Sequence, residues 1–339
     1  MNKFRRAVLW CALVLIILLI VLSIYGAFAG AERAKGFFNS LPLGLYWSAL
    51  TVMLIAGIGV FRRLVREPAL LLIHGGCVLI LTGSMWGSAA GHELRKKLLG
   101  IEKIPGGKMA IFEGQSDNHV KAEGERGMKE LPFHIKLKDF RIEYYKPEYL
   151  DIESRQGQHW QVPVEIGGEF SLGADVGTVI ITKAFENFKI TFEDDKSAAY
   201  DDPEPGYNPA LEVQIRGPDG GVTTDYVFER YPGHVHPEDK FLLSYHRTVR
   251  DYISELAVIK DDKVVLEKNI EVNHPLHFGG YHFYQHSYDE QGRQYTVLEV
   301  VSDSGLIWVY AGYLMLCIAV FWHLWLREFA AGRARVRSE

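Results

Sequence analysis

An imidazole inside hydrocarbon is costly, and His74 interrupts the apolar run from Ala69 to Gly83. An ionisable side chain in that setting marks a ligand, proton or ion site, or else hydrogen-bonds a neighbouring helix. A second histidine, His323, lies in another apolar run, four residues before Arg327. With Pro68 as the inner end of the first run, His74 falls about 9 Å into its helix and His323 about 6 Å into the other. This spacing predicts that both imidazoles sit in the inner leaflet at similar depth, where they could ligate one haem iron or line a quinone or proton site. His323 adjoins Trp322 and is near Trp325, so it is equally at home as an interfacial residue.

The other concentration of possible ligands is the stretch Val272 to Asp289, with His274, His277, His282 and His286 among five aromatic residues. His282, Tyr284 and His286 are spaced by two, which puts them on one face of a strand, and His274 and His277 fall in the preceding turn. A metal or haem site is one reading, and a packed aromatic strand with incidental histidines is the other. His234 and His236 form a weak metal signal with no third ligand evident.

Four apolar runs must position these residues: 7–29, 44–61, 69–90 and 305–326, each near the roughly 20 residues a membrane-spanning helix needs. Gly76, Gly83 and Gly87 fall on one stripe of the third run, a small-residue surface for close helix approach. His74 is two residues from Gly76, about 200° round the helix, and points away from that stripe.

Orientation follows from the basic residues. Lys3, Arg5 and Arg6, then Arg62, Arg63 and Arg66, then Arg327, Arg333, Arg335 and Arg337 all fall on one side. Lys and Arg are retained in the cytoplasm, so both termini are expected inside and the long segment 91–304 outside. Ala27-Phe28-Ala29 also resembles a signal-peptide cleavage site, but the run before it exceeds the about 7–15 residues of an h-region and reads as a span.

Segment 91–304 reads as strands, over 108–113, 133–145, 178–192, 210–215, 223–229, 254–259, 263–272, 281–288 and 295–300. Turn signals separate them, and a β-sandwich or open barrel fits their spacing. Residues 91–103 are charged and helical in pattern, either a stem along the membrane surface or a plain connector. The expected organisation is three transmembrane helices in 1–90, an extracytoplasmic β-rich domain in 91–304, a fourth helix in 305–326 and a basic cytoplasmic tail in 327–339. Cys11, Cys77 and Cys317 all fall in the apolar runs, which excludes a disulfide framework, and no Cys-x-x-Cys-His haem-attachment site occurs. The net charge of -5 gives no sign of nucleic-acid binding.

Three spans, a β domain, a fourth span, a histidine early in span three and the Asn273-His274-Pro275-Leu276 to Tyr281-His282-Phe283-Tyr284-Gln285-His286-Ser287-Tyr288-Asp289 segment together resemble the ResB-like (CcsB) proteins of System II cytochrome c biogenesis. The resemblance implies a bacterial inner-membrane protein that pairs with a CcsA-type membrane protein carrying a tryptophan-rich segment. It implies that the pair moves haem outward and attaches it to reduced apocytochrome c. His74 then corresponds to the family's transmembrane histidine, proposed to help ligate transiently held haem. The chain would be a subunit of a haem lyase complex, not catalytic alone. Typical members have a longer outer domain, and the histidines in 272–289 map onto no family role. Two other classes stand beside this one. A non-catalytic membrane scaffold would carry no haem, and a b-haem subunit of an electron-transfer complex would use His74 and His323 as a pair.

Overall fold

The computed structural model describes residues 3–123, 127–193, 196–233 and 240–326. It divides into a helical unit, spanning residues 1–107, 279–281 and 301–339, and a β unit, spanning 108–278 and 282–300. The basic tail expected at 327–339, and His234 and His236, lie outside the described residues.

The helical unit contains α1 (Lys3–Ala29), α2 (Ala31–Phe38), α3 (Leu41–Val60), α4 (Arg62–Arg66), α5 (Pro68–Gly87), α6 (Ala89–Leu99) and α7 (Leu306–Phe321), the last continued by a π turn over Trp322–Leu326. Four of them, Lys3–Ala29, Leu41–Val60, Pro68–Gly87 and Leu306–Trp325, are long and apolar enough to cross a membrane, as expected of a multi-pass membrane protein. Proline in the first turn starts both α3 and α5, where its missing N–H is no loss. Ser88 caps α6 by accepting from the Gly91 amide at 3.1 Å. Gly100, left-handed at φ 67°, ends α6 earlier than the pattern to residue 103 had suggested.

Helices α5 and α7 pack through glycine. A Cβ on Gly76 would lie 2.9 Å from the Gly312 carbonyl oxygen, and one on Gly83 2.9 Å from that of Gly305. The expected stripe of small residues is therefore the contact surface of α5 with α7. Another face of α5 meets α3, where Leu81 packs against the cluster of Leu43, Tyr46 and Leu50.

Eight strands form one sheet in the order β14-β13-β3-β2-β1-β17-β16-β15. They are β1 (Gly106–Phe112), β2 (Ser116–Ala122), β3 (Met128–Tyr144), β13 (Val249–Lys260), β14 (Lys263–Ile270), β15 (Leu276–Phe278), β16 (Tyr281–Tyr288) and β17 (Tyr295–Ser302). The first and last strands of that order are joined in sequence by residues 271–275 alone, so the sheet must curl back on itself as an open barrel. Lys268 Nζ donates across the gap to the Pro275 carbonyl at 2.7 Å. Alternate side chains fill the inside: Phe133 of β3 meets Phe278 at 4.9 Å and Phe283 at 6.1 Å between ring centres.

Between β3 and β13 the chain builds a sandwich. One layer has the order β12-β4-β5 and the other β11-β10-β7-β6. The strands are β4 (Tyr149–Ser154), β5 (His159–Pro163), β6 (Glu169–Gly173), β7 (Gly177–Phe185), β10 (Ala210–Arg216), β11 (Val222–Phe228) and β12 (Phe241–His246), with a separate hairpin of β8 (Phe188–Glu193) and β9 (Lys196–Asp201). Leu150, Ile152 and Leu243 of the first layer close on Val179, Ile181 and Val213 of the second. Both architectures read as alternatives in the sequence thus occur, one nested in the other. The strand expected over 178–192 is two strands of different sheets. The chain breaks between them where the Glu186 and Asn187 amides donate to the Asp201 carboxylate at 3.1 and 2.7 Å.

Candidate functional site

His74 lies in the second turn of α5, half-buried, with Nδ1 2.8 Å from the Leu70 carbonyl oxygen. A carbonyl only accepts, so Nδ1 carries a proton, and in the uncharged form of the ring the lone pair is at Nε2. An imidazole fixed through one nitrogen by a backbone oxygen is the arrangement by which histidine ligands are oriented on a metal. His74 shares a helix face with Leu81, seven residues on and about 20° round, which is the face away from the glycine contact with α7. The donor set suits one axial position on a haem iron.

His323 does not join it. It sits in the π turn that continues α7. Gly76 abuts Gly312 and Gly83 abuts Gly305, which sets an antiparallel register in which His74 is level with Leu314. His323 is nine residues further on, about 13 Å along the helix axis. The expectation of equal depth is therefore corrected: it measured His323 from Arg327, whereas depth in the bundle is set by the register of α7 on α5. At that separation the two imidazoles do not share an iron, and the reading of a b-haem held by this pair loses its geometry.

The four histidines of the β unit do not converge either. His274 pairs with Glu271 at 3.3 Å in an exposed turn. His277 and His282 pack edge to face, ring centres 4.1 Å apart and planes at 89°. Two imidazoles on one metal with bonds of about 2.0–2.1 Å keep their centres roughly 4.5 Å or more apart, so this contact is packing. His282 does share a face with Tyr284, their rings near parallel at 6.1 Å. His286 Nε2 lies 2.7 Å from the Lys108 ammonium, which can only donate, so the lone pair a metal would use is engaged. Among the described residues no group of three or more His, Cys, Asp or Glu side chains is arranged to hold a metal ion.

A polar cluster between barrel and sandwich had no signature in the sequence. Arg247, with a side chain 3% exposed, donates through Nη1 to Glu186 at 3.0 Å and through Nε to Glu229 at 3.1 Å. It also stacks 4.2 Å over the Tyr144 ring. Arg293, from the turn between β16 and β17, lies 3.5 Å over Tyr207 and donates to the Tyr144 hydroxyl at 2.5 Å. Burial opposes the charge on Arg247, but Glu186 and Glu229 outweigh it and raise its pKa. Burial, then the hydrogen bond to Glu229, pushes the Tyr207 phenol up. A cleft of about 740 Å³ runs beside this cluster, lined by Glu113, Phe140, Asp201, Glu204 and Arg293 among others. These residues come from distant parts of the chain, so only the fold reveals them.

A family model for ResB-like proteins matches residues 51–166 and 222–294, more than half of the chain. The chain belongs to the ResB-like family. The matched segments of this ResB-like chain contain His74 and all four histidines of 272–289, and the unmatched 167–221 holds β6, β7 and β10 of the sandwich and the β8–β9 hairpin. Among curated proteins, Protein NrfI of Wolinella succinogenes is 34% identical over 102 residues, covering 29% of this chain. The match spans a tenth of NrfI's own length.

Proposed function

We propose that this ResB-like protein is a membrane component of System II cytochrome c biogenesis that holds haem through His74 and presents it for covalent attachment to apocytochrome c. It acts with a CcsA-type partner in the bacterial cytoplasmic membrane. The observation that carries this reading is the fixed tautomer of His74, with Nε2 left as the ligand atom inside an apolar helix of the family-matched segment. The basic residues of α4 favour a cytoplasmic α3–α5 turn, with the β unit on the periplasmic or outer face.

Haem is cargo here, and bound haem supplies an iron with open axial positions. The chain's own residues do the rest. The Leu70 carbonyl orients the imidazole of His74, and the surrounding leucines and isoleucines of α5 keep water from the bound face. Of this chain's two membrane histidines only His74 would hold the haem, His323 being out of its reach. Thioether formation then depends on holding a vinyl group against a reduced thiol, which is positioning.

The test is maturation of a reporter c-type cytochrome in cells carrying His74→Ala, with the variant's membrane level measured alongside. Loss of haem-stained cytochrome at an unchanged protein level supports the proposal. Full maturation would contradict it and favour the scaffold reading.

A further inference from the structure

Helix α6, directly after α5, is amphipathic in an inverted sense. Its apolar residues Leu94 and Leu98 are 48% and 69% exposed, while Arg95 is only 7% exposed. The guanidinium lies 5.5 Å from the Trp86 ring centre, and no ion pair joins it to a carboxylate among the described residues. Its Nε and Nη2 are both fully buried with no hydrogen-bond partner. Those two atoms form one edge of the guanidinium, the fork whose parallel N–H bonds take the two oxygens of a carboxylate or phosphate. A buried charge with neither counter-ion nor hydrogen bonds is costly, so the site is complete only when an anion enters it.

We propose that Arg95 is a receptor for the oxyanionic head of an amphiphile whose apolar body lies along the exposed leucines of α6. The position suits this chemistry. Arg95 follows the end of a membrane-spanning helix by eight residues, and Trp86 beside it is a residue type that collects at the membrane boundary. His74 lies thirteen residues before the opposite end of α5, about 20 Å along the axis, so this is a separate site from the one at His74. Two amphiphiles carry such a head in this setting, a phospholipid through its phosphate and haem through its propionates. The inference rests on the membrane placement of α5 and not on haem binding by His74.

The full chain, purified in a neutral detergent, is titrated with two pairs of probes. One pair is phosphatidylglycerol and diacylglycerol of the same acyl chains, and the other is haem and haem dimethyl ester. Any bond from His74 to iron is common to both haem probes and cancels within the pair. The charged member of at least one pair is expected to bind about ten- to a hundredfold more tightly than its uncharged counterpart, and the pair concerned identifies phosphate or propionate. Arg95→Met is expected to erase that preference and Arg95→Lys to keep part of it. Without ligand, Arg95→Met is expected to melt above the wild type, because it removes the buried charge and keeps the shape. The proposal is overturned if wild type shows no preference in either pair, if Arg95→Met retains one, or if ligand-free Arg95→Met melts lower or fails to fold.

Discussion

The helical unit carries His74 as the one histidine of α5, whereas the β unit carries His274, His277, His282 and His286 within thirteen positions. Density of histidine would favour the second region as a metal or haem site, yet its rings are spoken for: one pairs with Glu271, two pack on each other, and one accepts from Lys108. The isolated residue has its Nδ1 tied to a backbone oxygen and its Nε2 available in an apolar setting. What makes a ligand is the partner on the second nitrogen and the polarity of the surroundings, not the number of imidazoles nearby.

The comparison breaks most readily at groups that hold each region together. Within the β unit the expected heavy loss is at Arg247 rather than at any histidine. Arg247→Ala leaves Glu186 and Glu229 without their cation, and a loss of about 3–5 kcal/mol is expected in urea unfolding. A loss below about 1 kcal/mol would mean that the junction of barrel and sandwich is held elsewhere.

In the helical unit, Gly83→Leu drives a side chain into the Gly305 carbonyl, Trp308 and Val309, and we expect about 3 kcal/mol of destabilisation with α5 and α7 parted. An unchanged melting temperature in detergent would show that α7 does not lie on that face, and the assignment of His74 to the opposite side would go with it.

Smaller effects are expected from the crowded histidines. Single substitutions of His274, His277, His282 and His286 by alanine should each shift stability by no more than about 0.5 kcal/mol and leave haem content as it was. Haem loss in any of them would move the site to the β unit.

The mildest test is a titration. A hydrogen bond donated by His119 Nδ1 to the Asp117 carboxylate, at 2.7 Å, raises the pKa of His119 above its ordinary value of 6.5. Its stabilising contribution is therefore full below that value and fades as pH rises through the raised one. Proton resonances of His119 should report a midpoint above 6.5, and Asp117→Asn should bring it down. A midpoint at or below the ordinary value in the unaltered protein would mean that the pair does not form.

Which parts could be read in advance follows from the range of the forces involved. The spans were legible because a bilayer demands a continuous apolar length, and the glycine face because close approach demands small residues at helical spacing. Strands such as Phe133 to Tyr145 and Tyr281 to Tyr288 showed in β-branched and aromatic content. Ser116–Ala122 did not, since only Val120 and Ala122 of it are buried. The nesting of a sandwich inside a barrel depends on β3 pairing with β13 from more than a hundred residues away, a choice without local trace. Arg95, Arg247 and Arg293 were hidden for a related reason, because a charged residue reads as surface until the fold buries it. The depth of His323 was misjudged because a basic residue marks where a span ends and says nothing of how it is staggered against its neighbour.

The most direct measurement is the visible absorption spectrum of the protein purified with the proposed CcsA-type partner, for wild type and for His74→Ala at matched protein level. A Soret band in the wild type that is lost or strongly weakened in His74→Ala is the predicted result. Equal Soret bands in both, or no haem in either with cytochrome maturation intact, would contradict the assignment of His74 as a haem ligand.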